Sequence, residues 1–591
     1  MFEKVLVANR GEIAVRVIRA CHGLGIQAVA IYADDDRHGL HVALADEAYL
    51  LPGSQLAETY LNSQAILDIA RRAGAQAIHP GYGFLSENAA FAEACTQADI
   101  AFIGPSAEVM RAMGSKVEAR TRMEQAGVPI TPGSPPLTDL AAAQRWAEQI
   151  GYPVLLKASA GGGGRGMKQV KSAAELPAAF ESALRESLAY FADSTVFLEK
   201  LVQHPRHIEV QILGDSQGQV IHLGERDCSI QRRNQKLVEE TPAPHLPAEV
   251  RSRVLEAAVR GAAALGYCGA GTFEFVVENN RDVYFMEVNT RLQVEHPITE
   301  MVTGVDLVAE QLRIAAGLPL SYAQEDIGFR GAAIECRITV EDAGQNFRPV
   351  PGQVTALSEP HGPWVRVDSM LRPDYEIPRS YDSLLAKLVV WGATREAAIG
   401  RLRQALSEYR IEGVATLIPF YQWLLTQPDY LSGHYDTGFV PTHFRPELLP
   451  PAAAPAAASN AATTRQLLEL EVNHKRFEVA VYLPETAHAA KAPGRSAPGR
   501  PGGRKASDDQ ASGNQLQILA PMAGTVVKLA VSPGQALNPG EVVCVIESMK
   551  MENDILSPRQ GVVKVLGATA GEKVQAGALL LEYEDELTGN R

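Results

Sequence analysis

The chain has 591 residues, a net charge of -14, 46% hydrophobic residues and 21% charged ones. That length calls for roughly four domains of ~150 residues. The acidic balance excludes nucleic acid or an anionic membrane as a general partner, so any anionic ligand must be caught by a local cluster of cations. The six cysteines (Cys21, Cys95, Cys228, Cys268, Cys336 and Cys544) form no CxxC pair and no metal-ligand spacing, which fits a reducing compartment without disulfides. A strand-like run begins almost at Met1 and no apolar stretch is long enough to span a bilayer; the expectation is a cytoplasmic protein.

Residues 4–32 read as strand, helix, strand. The apolar run Lys4-Val5-Leu6-Val7-Ala8 leads into Gly11-Glu12, an amphipathic stretch follows with Ile13, Val17 and Ala20, and a second apolar run covers 28–32. Similar alternation continues to about Gly104. The first turn lacks G-x-G-x-x-G, so dinucleotide binding is not inferred, and pure scaffold is the simplest account of this region.

From about 114 to 330, short strands with Gly turns alternate with helices. The strand-like run at 152–159 carries Lys157 and is followed by Gly161-Gly162-Gly163-Gly164-Arg165-Gly166 and a second short strand. A Gly-rich turn between strands can fold its N–H groups over phosphate, with Lys157 as a point charge beside it. No Gly-Lys-Ser/Thr follows, so this is not a Walker A loop.

The segment 271–295 is the most informative. Two strand-like runs flank the turn-forming Asn279-Asn280-Arg281-Asp282. A turn centred between Asn280 and Arg281 sets Glu274 opposite Glu287, with Phe273, Phe275, Phe285 and Met286 on a buried opposite face. Two solvated carboxylates on an exposed hairpin are the alternative, and the buried opposite face leaves it open. The continuation weighs against that, because Glu287, Asn289, Arg291, Gln293 and Glu295 recur with period two. Hard oxygen ligands suit Mg²⁺ with substrate phosphates, and Arg suits a two-oxygen anion such as bicarbonate.

A mixed region runs on to about Phe444. Residues 451–462 are then nearly all Ala and Pro, and 488–513 are rich in Ala, Pro, Gly and Ser; both read as flexible tethers. Between them, 466–483 alternates around Asn473-His474 and predicts a small hairpin. In 516–587, Gly524, Gly534 and Gly540 recur at one constant spacing as Gly561, Gly571 and Gly577. Two similar all-β halves with Lys550 at their junction predict a small sandwich with the lysine on a turn. Methionines on both sides of a turn lysine stabilise nothing unless another surface reads them.

Here the resemblances become specific. The Met549-Lys550-Met551 tip, the repeat and the upstream Pro521-Met522 pair resemble biotin carrier domains; lipoyl carriers share the fold but lack methionines on both sides. Ser548 stands where many biotin domains have Ala. Residues 1–446 resemble the biotin carboxylase component of acyl-CoA and pyruvate carboxylases, in the ATP-grasp superfamily. The matching segments are Ala8-Asn9-Arg10-Gly11-Glu12-Ile13-Ala14, His79-Pro80-Gly81-Tyr82-Gly83-Phe84-Leu85-Ser86-Glu87-Asn88, the Gly-rich loop, Glu225-Arg226-Asp227-Cys228-Ser229 and the stretch 287–297.

This resemblance implies a multidomain α/β and α+β chain. A Rossmann-like N-terminal domain would cover 1–113, an ATP-grasp domain 114–330 with a lid at about 132–203, and a mixed C-terminal carboxylase domain 331–446. Linkers with the hairpin would fill 447–515, and an all-β biotinyl/lipoyl-type carrier 516–587. Lys116, Lys157, Gly163, Gly164 and His207 would contact ATP, with Glu199, Lys200, Leu201 and Val202 as the adenine-side hinge. Asn234, where many members have His, would hydrogen-bond ATP. Glu274 and Glu287, assisted by Asn289, would hold Mg²⁺ or Mn²⁺. Lys236, Arg291, Gln293 and the Val294 backbone would bind bicarbonate, Glu295 would be the general base, and Arg337 would steady the enolate-like form of biotin carried on Lys550.

The implied activity is ATP- and bicarbonate-dependent carboxylation of biotin on the chain's own carrier, as the alpha subunit of an acyl-CoA carboxylase. A two-subunit pyruvate carboxylase is the alternative. No acyl-CoA-binding carboxyltransferase segment is recognisable, so a hetero-oligomer with a separate carboxyltransferase beta subunit is expected, and biotin protein ligase is a further partner. A tether of about 30 residues reaches roughly 30 Å, enough for a carrier to visit two sites. Two readings of other classes stand beside this one: a non-catalytic carrier, and another ATP-grasp ligase with a lipoyl-type carrier.

Overall fold

The computed structural model describes residues 1–158, 168–191, 196–449, 463–472, 475–484, 516–522, 524–548, 551–575 and 577–584. They fall into two units, Met1–Leu449 and Pro450–Arg591. No helix among the described residues is long and apolar enough to cross a membrane.

The first unit opens with a parallel sheet of β1 (Lys4–Val7), β2 (Gln27–Tyr32), β3 (Glu47–Leu50), β4 (Ala77–His79) and β5 (Ala101–Phe102), ordered β3-β2-β1-β4-β5. Alternate side chains of a strand leave on opposite faces. Val5 and Val7 accordingly pack into one core with Ile13 and Val17 of the helix Gly11–Gly23, while Leu6 and Ala8 enter another with Ile66 and Phe91. A smaller three-stranded antiparallel sheet follows: β6 (Val154–Ala158), β7 (Lys168–Val170) and β8 (Val196–Lys200), with β6 central.

An eight-stranded antiparallel sheet dominates the unit. It comprises β9 (Arg206–Gly214), β10 (Val220–Arg232), β11 (Gln235–Thr241), β12 (Gly269–Glu278), β13 (Asp282–Asn289) and β14 (Ala332–Thr339), ordered β13-β12-β9-β10-β11-β14. The strands Leu384–Gly392 and Val365–Ser369 continue it beyond β14, so one sheet runs on past residue 330. Every residue of β9 is buried. Ile208, Val210 and Ile212 join the core with Phe273, Phe275 and Phe285, which leaves His207, Glu209 and Gln211 to the other face.

The β12–β13 hairpin differs from its sequence reading in one respect. Glu278 pairs with Asp282, so the loop is Asn279-Asn280-Arg281 and is centred on Asn280. Asn279 and Asn280 both take left-handed backbone angles (φ 53° and 50°) that Asn tolerates better than most residues. Glu274 still faces Glu287, because a bulge between the 274 and 275 pairings shifts the register by one. Met286 is the residue it leaves over, and it is exposed, not part of the buried face.

In the second unit, Thr463–Val472 and Lys475–Pro484 pair antiparallel with each other; Asn473 and His474 lie outside the described residues. The C-terminal piece is a sandwich of two four-stranded sheets. The repeated glycines have matching jobs. Gly534, Gly540, Gly571 and Gly577 all have φ between 82° and 87°, a region that glycine enters without steric cost. Gly534 donates to the Val563 carbonyl and Gly571 to that of Val526, both at 2.7 Å. The strands Val542–Ser548 and Met551–Leu556 flank the junction; Met549 and Lys550 lie outside the described residues.

Phe273 is fully buried against Phe285 in the core beneath the site. Phe273→Ala is expected to destabilise the unit by ~3–5 kcal/mol, read as a shift of its urea unfolding transition. A loss below ~1 kcal/mol would show that this core does not support the hairpin.

Candidate active site

Four neighbouring strands set Glu287, Glu274, Glu209 and Arg226 directly opposite one another, in that order. Adjacent like charges destabilise a sheet unless a cation lies between them. Lys236 of β11 supplies one. Its Nζ lies 2.5 Å from Glu209, 2.9 Å from Glu274 and 2.7 Å from Glu295. Arg226, fully buried, donates to Glu209 at 2.5 Å and to Gln211, Thr272 and Thr299. Arg337 of β14 bonds Glu239 at 2.7 Å and the second oxygen of Glu295 at 2.9 Å.

These contacts set the protonation states. Burial alone would raise the Glu295 carboxyl, but Lys236, then Arg337 and Arg226, outweigh it and hold the group well below the carboxylate range. Glu295 is therefore ionised, as a base must be, though ion pairing suppresses its basicity. Burial is likewise overcome at Glu274, by Lys236 and His207, and its carboxyl is held low. The His207 ring, with Nε2 3.1 Å from Glu274, is shifted up by that neighbour against its burial. Burial and then Glu274 push the Glu287 carboxyl up, although its side chain is exposed at the edge of the row.

The segment after β13 converges on the same place. Asn289 Nδ2 and Gln293 Nε2 both donate to Glu274, at 2.9 and 3.0 Å. Arg291 donates to Asn289 Oδ1 and Gln293 Oε1, and its Nε reaches Glu87 at 3.2 Å. All five polar residues do reach one region, but the chain bends at Arg291 and turns at 294–295, so an extended run is not what brings them there. The amide oxygen of Asn289 faces Arg291, however, so the carboxylates Glu274 and Glu287 are the stronger metal donors.

On the nucleotide side, Lys116 opens the helix Lys116–Gln125, and burial followed by Lys157 lowers its pKa. Two ammonium groups held close enough to repel suit a polyanion such as triphosphate. Lys157 is ion-paired with Glu199, which also takes Arg120 at 3.1 Å. The N–H groups of Lys200 and Leu201 donate to the carbonyls of Pro132 and Pro153. Hinge contacts to a base would therefore fall to their carbonyls and to Val202. Asn234 occupies the exposed β10–β11 turn with Arg233, both at positive φ, and joins no hydrogen bond of the cluster among the described residues. Gly163, Gly164 and Lys550 lie outside the described residues.

Sequence reasoning missed Glu209, Arg226, Glu239 and Glu87. For the first two a signal existed: polar residues within long runs of strand-forming ones, Glu209 in step with His207.

Comparison with known proteins separates carrier, ligase and carboxylase. Residues 1–110 match the model for biotin carboxylase, N-terminal domain, and 335–442 that for the biotin carboxylase C-terminal domain. Residues 115–323 match the ATP binding domain of the carbamoyl-phosphate synthase L chain, and 516–582 match a biotin-requiring enzyme model. Biotin carboxylase 1 of Bacillus subtilis is 50% identical over 445 residues, 75% of this chain and 99% of that protein. This chain belongs to the biotin carboxylases.

Among other relatives of this biotin carboxylase, a pyruvate carboxylase subunit from Methanothermobacter thermautotrophicus is 50% identical over 446 residues, 75% of this chain and 91% of that one. The biotin carboxylase domain dimer of Hydrogenobacter thermophilus 2-oxoglutarate carboxylase was solved with MgADP, ADP and bicarbonate. It superposes with a TM-score of 0.71 at 50% identity, covering 75% of this chain and 98% of that one. ATP, Mg²⁺ and biotin are accordingly the reagents of this enzyme. The hard carboxylate pair, the lysine pair and the C-terminal sandwich fit them.

The charge states predict a pH profile. Burial pushes the Glu12 and Glu341 carboxyls up to about 7, so the folded chain binds protons that the unfolded one, with carboxyls near ~4.3, does not. Their effect is to raise stability as pH falls from about 8 toward about 5. Glu274 and Glu295, held low, act in the opposite sense: their contribution is complete above ~4.3 and lost below it. Removing one such carboxyl isolates its share: Glu341→Gln should gain melting temperature relative to the parent chain as pH rises from about 5 to about 8, and a constant difference would contradict the assigned shift.

Proposed function

We propose that this chain is the alpha subunit of an acyl-CoA carboxylase, which carboxylates biotin on its own Lys550 and works with a separate carboxyltransferase beta subunit. The reading rests on one observation: a biotin carboxylase and a biotin carrier occupy one chain, residues 1–442 and 516–582. The segment between them is too short for a second catalytic domain. Attachment at Lys550 needs a biotin protein ligase. Domain limits are proposed at 113, 330 and 446, with the carrier from 516.

Lys116, Lys157, Gly163, Gly164, His207, Asn234 and the hinge 199–202 take ATP in this reading. Glu274 and Glu287, with Asn289 beside them, hold Mg²⁺, which supplies charge to neutralise the phosphates. Lys236, Arg291, Gln293 and the Val294 backbone hold bicarbonate next to Glu295. Glu295 removes the proton of bicarbonate, whose oxygen then attacks the γ-phosphorus as the bond to ADP breaks. Preorganised charge carries such a step, and each donor is worth ~10²–10³ in rate. Biotin would supply the nitrogen that takes up the carboxyl group, with phosphate leaving and accepting the nitrogen's proton, and Arg337, held by Glu239 and Glu295, would steady its enolate-like form.

Glu295→Gln should bind ATP normally and lose bicarbonate-dependent ATP cleavage by at least ~10²-fold; unchanged turnover would reject Glu295 as the base. Assay of the co-purified complex against CoA esters and pyruvate tests the acceptor. Pyruvate is the second reading, favoured by the pyruvate carboxylase relative from Methanothermobacter thermautotrophicus. A CoA ester is the expected substrate, and carboxylation of pyruvate alone would replace this reading with the second.

A further inference from the structure

Every residue of the segment that joins β13 to the helix His296–Thr303 is tied down by a side chain from elsewhere or by its own neighbours. Several of the ties belong to the cluster described above. The tie at Val294 does not. Lys387, on the strand Leu384–Gly392, is fully buried, and its Nζ donates to the Val294 carbonyl at 3.0 Å. Its other partners are Glu12 Oε2 at 3.1 Å and, more distantly, Asp368 at 3.8 Å. Glu12 lies on the helix Gly11–Gly23, and its other carboxylate oxygen accepts the Tyr82 hydroxyl. Lys387 also faces Arg337 directly across the ladder.

A buried ammonium held by a single full ion pair is a costly choice if packing is all it provides, since an apolar side chain of similar volume would fill the same space. What an apolar chain could not do is grip the Val294 carbonyl. The peptide group is planar, so fixing that oxygen also fixes the direction of the Glu295 N–H and the place of both α-carbons. Val294 and Glu295 are the residues assigned to bicarbonate and to its deprotonation.

We propose that Lys387 is a positioning residue for the carboxylation step: anchored by Glu12, it holds the Val294–Glu295 peptide in the orientation that receives bicarbonate. This rests on the roles proposed above for Val294 and Glu295. Nothing in it requires Lys387 to touch a substrate. A misplacement of ~1 Å in a segment of this kind costs up to ~10²-fold in rate.

The test uses the full-length biotinylated chain and follows ADP release while bicarbonate and ATP are varied separately. Lys387→Met is expected to raise the KM for bicarbonate about 10-fold and leave the KM for ATP within about 2-fold. A merely structural lysine would lower kcat through a smaller active fraction with both KM values unchanged; that result overturns the proposal. Should Lys387→Met not fold by circular dichroism, Glu12→Gln carries the test. It is assayed at about pH 8, where the Glu12 carboxyl is ionised. The change is nearly isosteric and removes the charge that anchors Nζ, with an expected rise of about 3-fold in bicarbonate KM alone; no rise overturns the proposal. Glu295→Gln in parallel keeps the two ideas apart. If that variant keeps bicarbonate-dependent turnover, the assigned base fails, whereas an unmoved bicarbonate KM beside an inactive Glu295→Gln condemns the Lys387 proposal only.

Discussion

The site depends on a single ammonium group, that of Lys236, set among Glu209, Glu274 and Glu295 within 3 Å. Taking ions out of water costs several kcal/mol each, and only close, well-oriented partners offset it. Here each carboxylate has further donors: Arg226 for Glu209, Asn289 and Gln293 for Glu274, Arg337 for Glu295. Removal of the lysine would leave three anions facing one another in a buried strand region. With Glu239 and Glu287 counted, carboxylates still outnumber the buried cations. A divalent cation between Glu274 and Glu287 would make up that difference, so the excess of negative charge is itself a reason for metal binding.

Such a cluster can be held only by a rigid frame. Antiparallel strands place opposed residues about 5 Å apart, and the eight-stranded sheet uses this to line up residues far apart in sequence, from Glu209 to Arg337. The apolar alternates of the same strands form the core beneath. The C-terminal sandwich solves a different problem, with glycines at equivalent turns letting two similar halves pack on each other.

Much of this was legible in the sequence. The polar residues from Glu287 to Glu295 gather at one place although β13 ends at Asn289 and the chain bends at Arg291 and turns at 294–295; contacts to Glu274 and Lys236, not an unbroken strand, hold them there. The repeated glycines announced the sandwich because a positive φ leaves few other choices. The opposition of Glu274 and Glu287 was reached through the wrong turn: the loop is Asn279-Asn280-Arg281, one residue shorter than the 279–282 turn and centred on Asn280, and a bulge at Met286 restores the register. Bulges leave no clear mark in sequence. Glu239 and Lys387 were invisible for another reason. A charged residue in a strand reads as solvent-facing until the sheet order is known, and the order β12-β9-β10-β11-β14 cannot be read from local pattern. Asn234, which the family resemblance assigns to the nucleotide, lies on an exposed turn.

The most direct measurement is bicarbonate-dependent ATP cleavage by Lys236→Met, alongside ATP binding by calorimetry on the same preparation. If Lys236 organises the bicarbonate side of the site, ATP affinity stays within about 3-fold while turnover falls by ~10²–10³. Turnover within a factor of about two of the parent chain would contradict the account, because the three carboxylates would then be organised by something else.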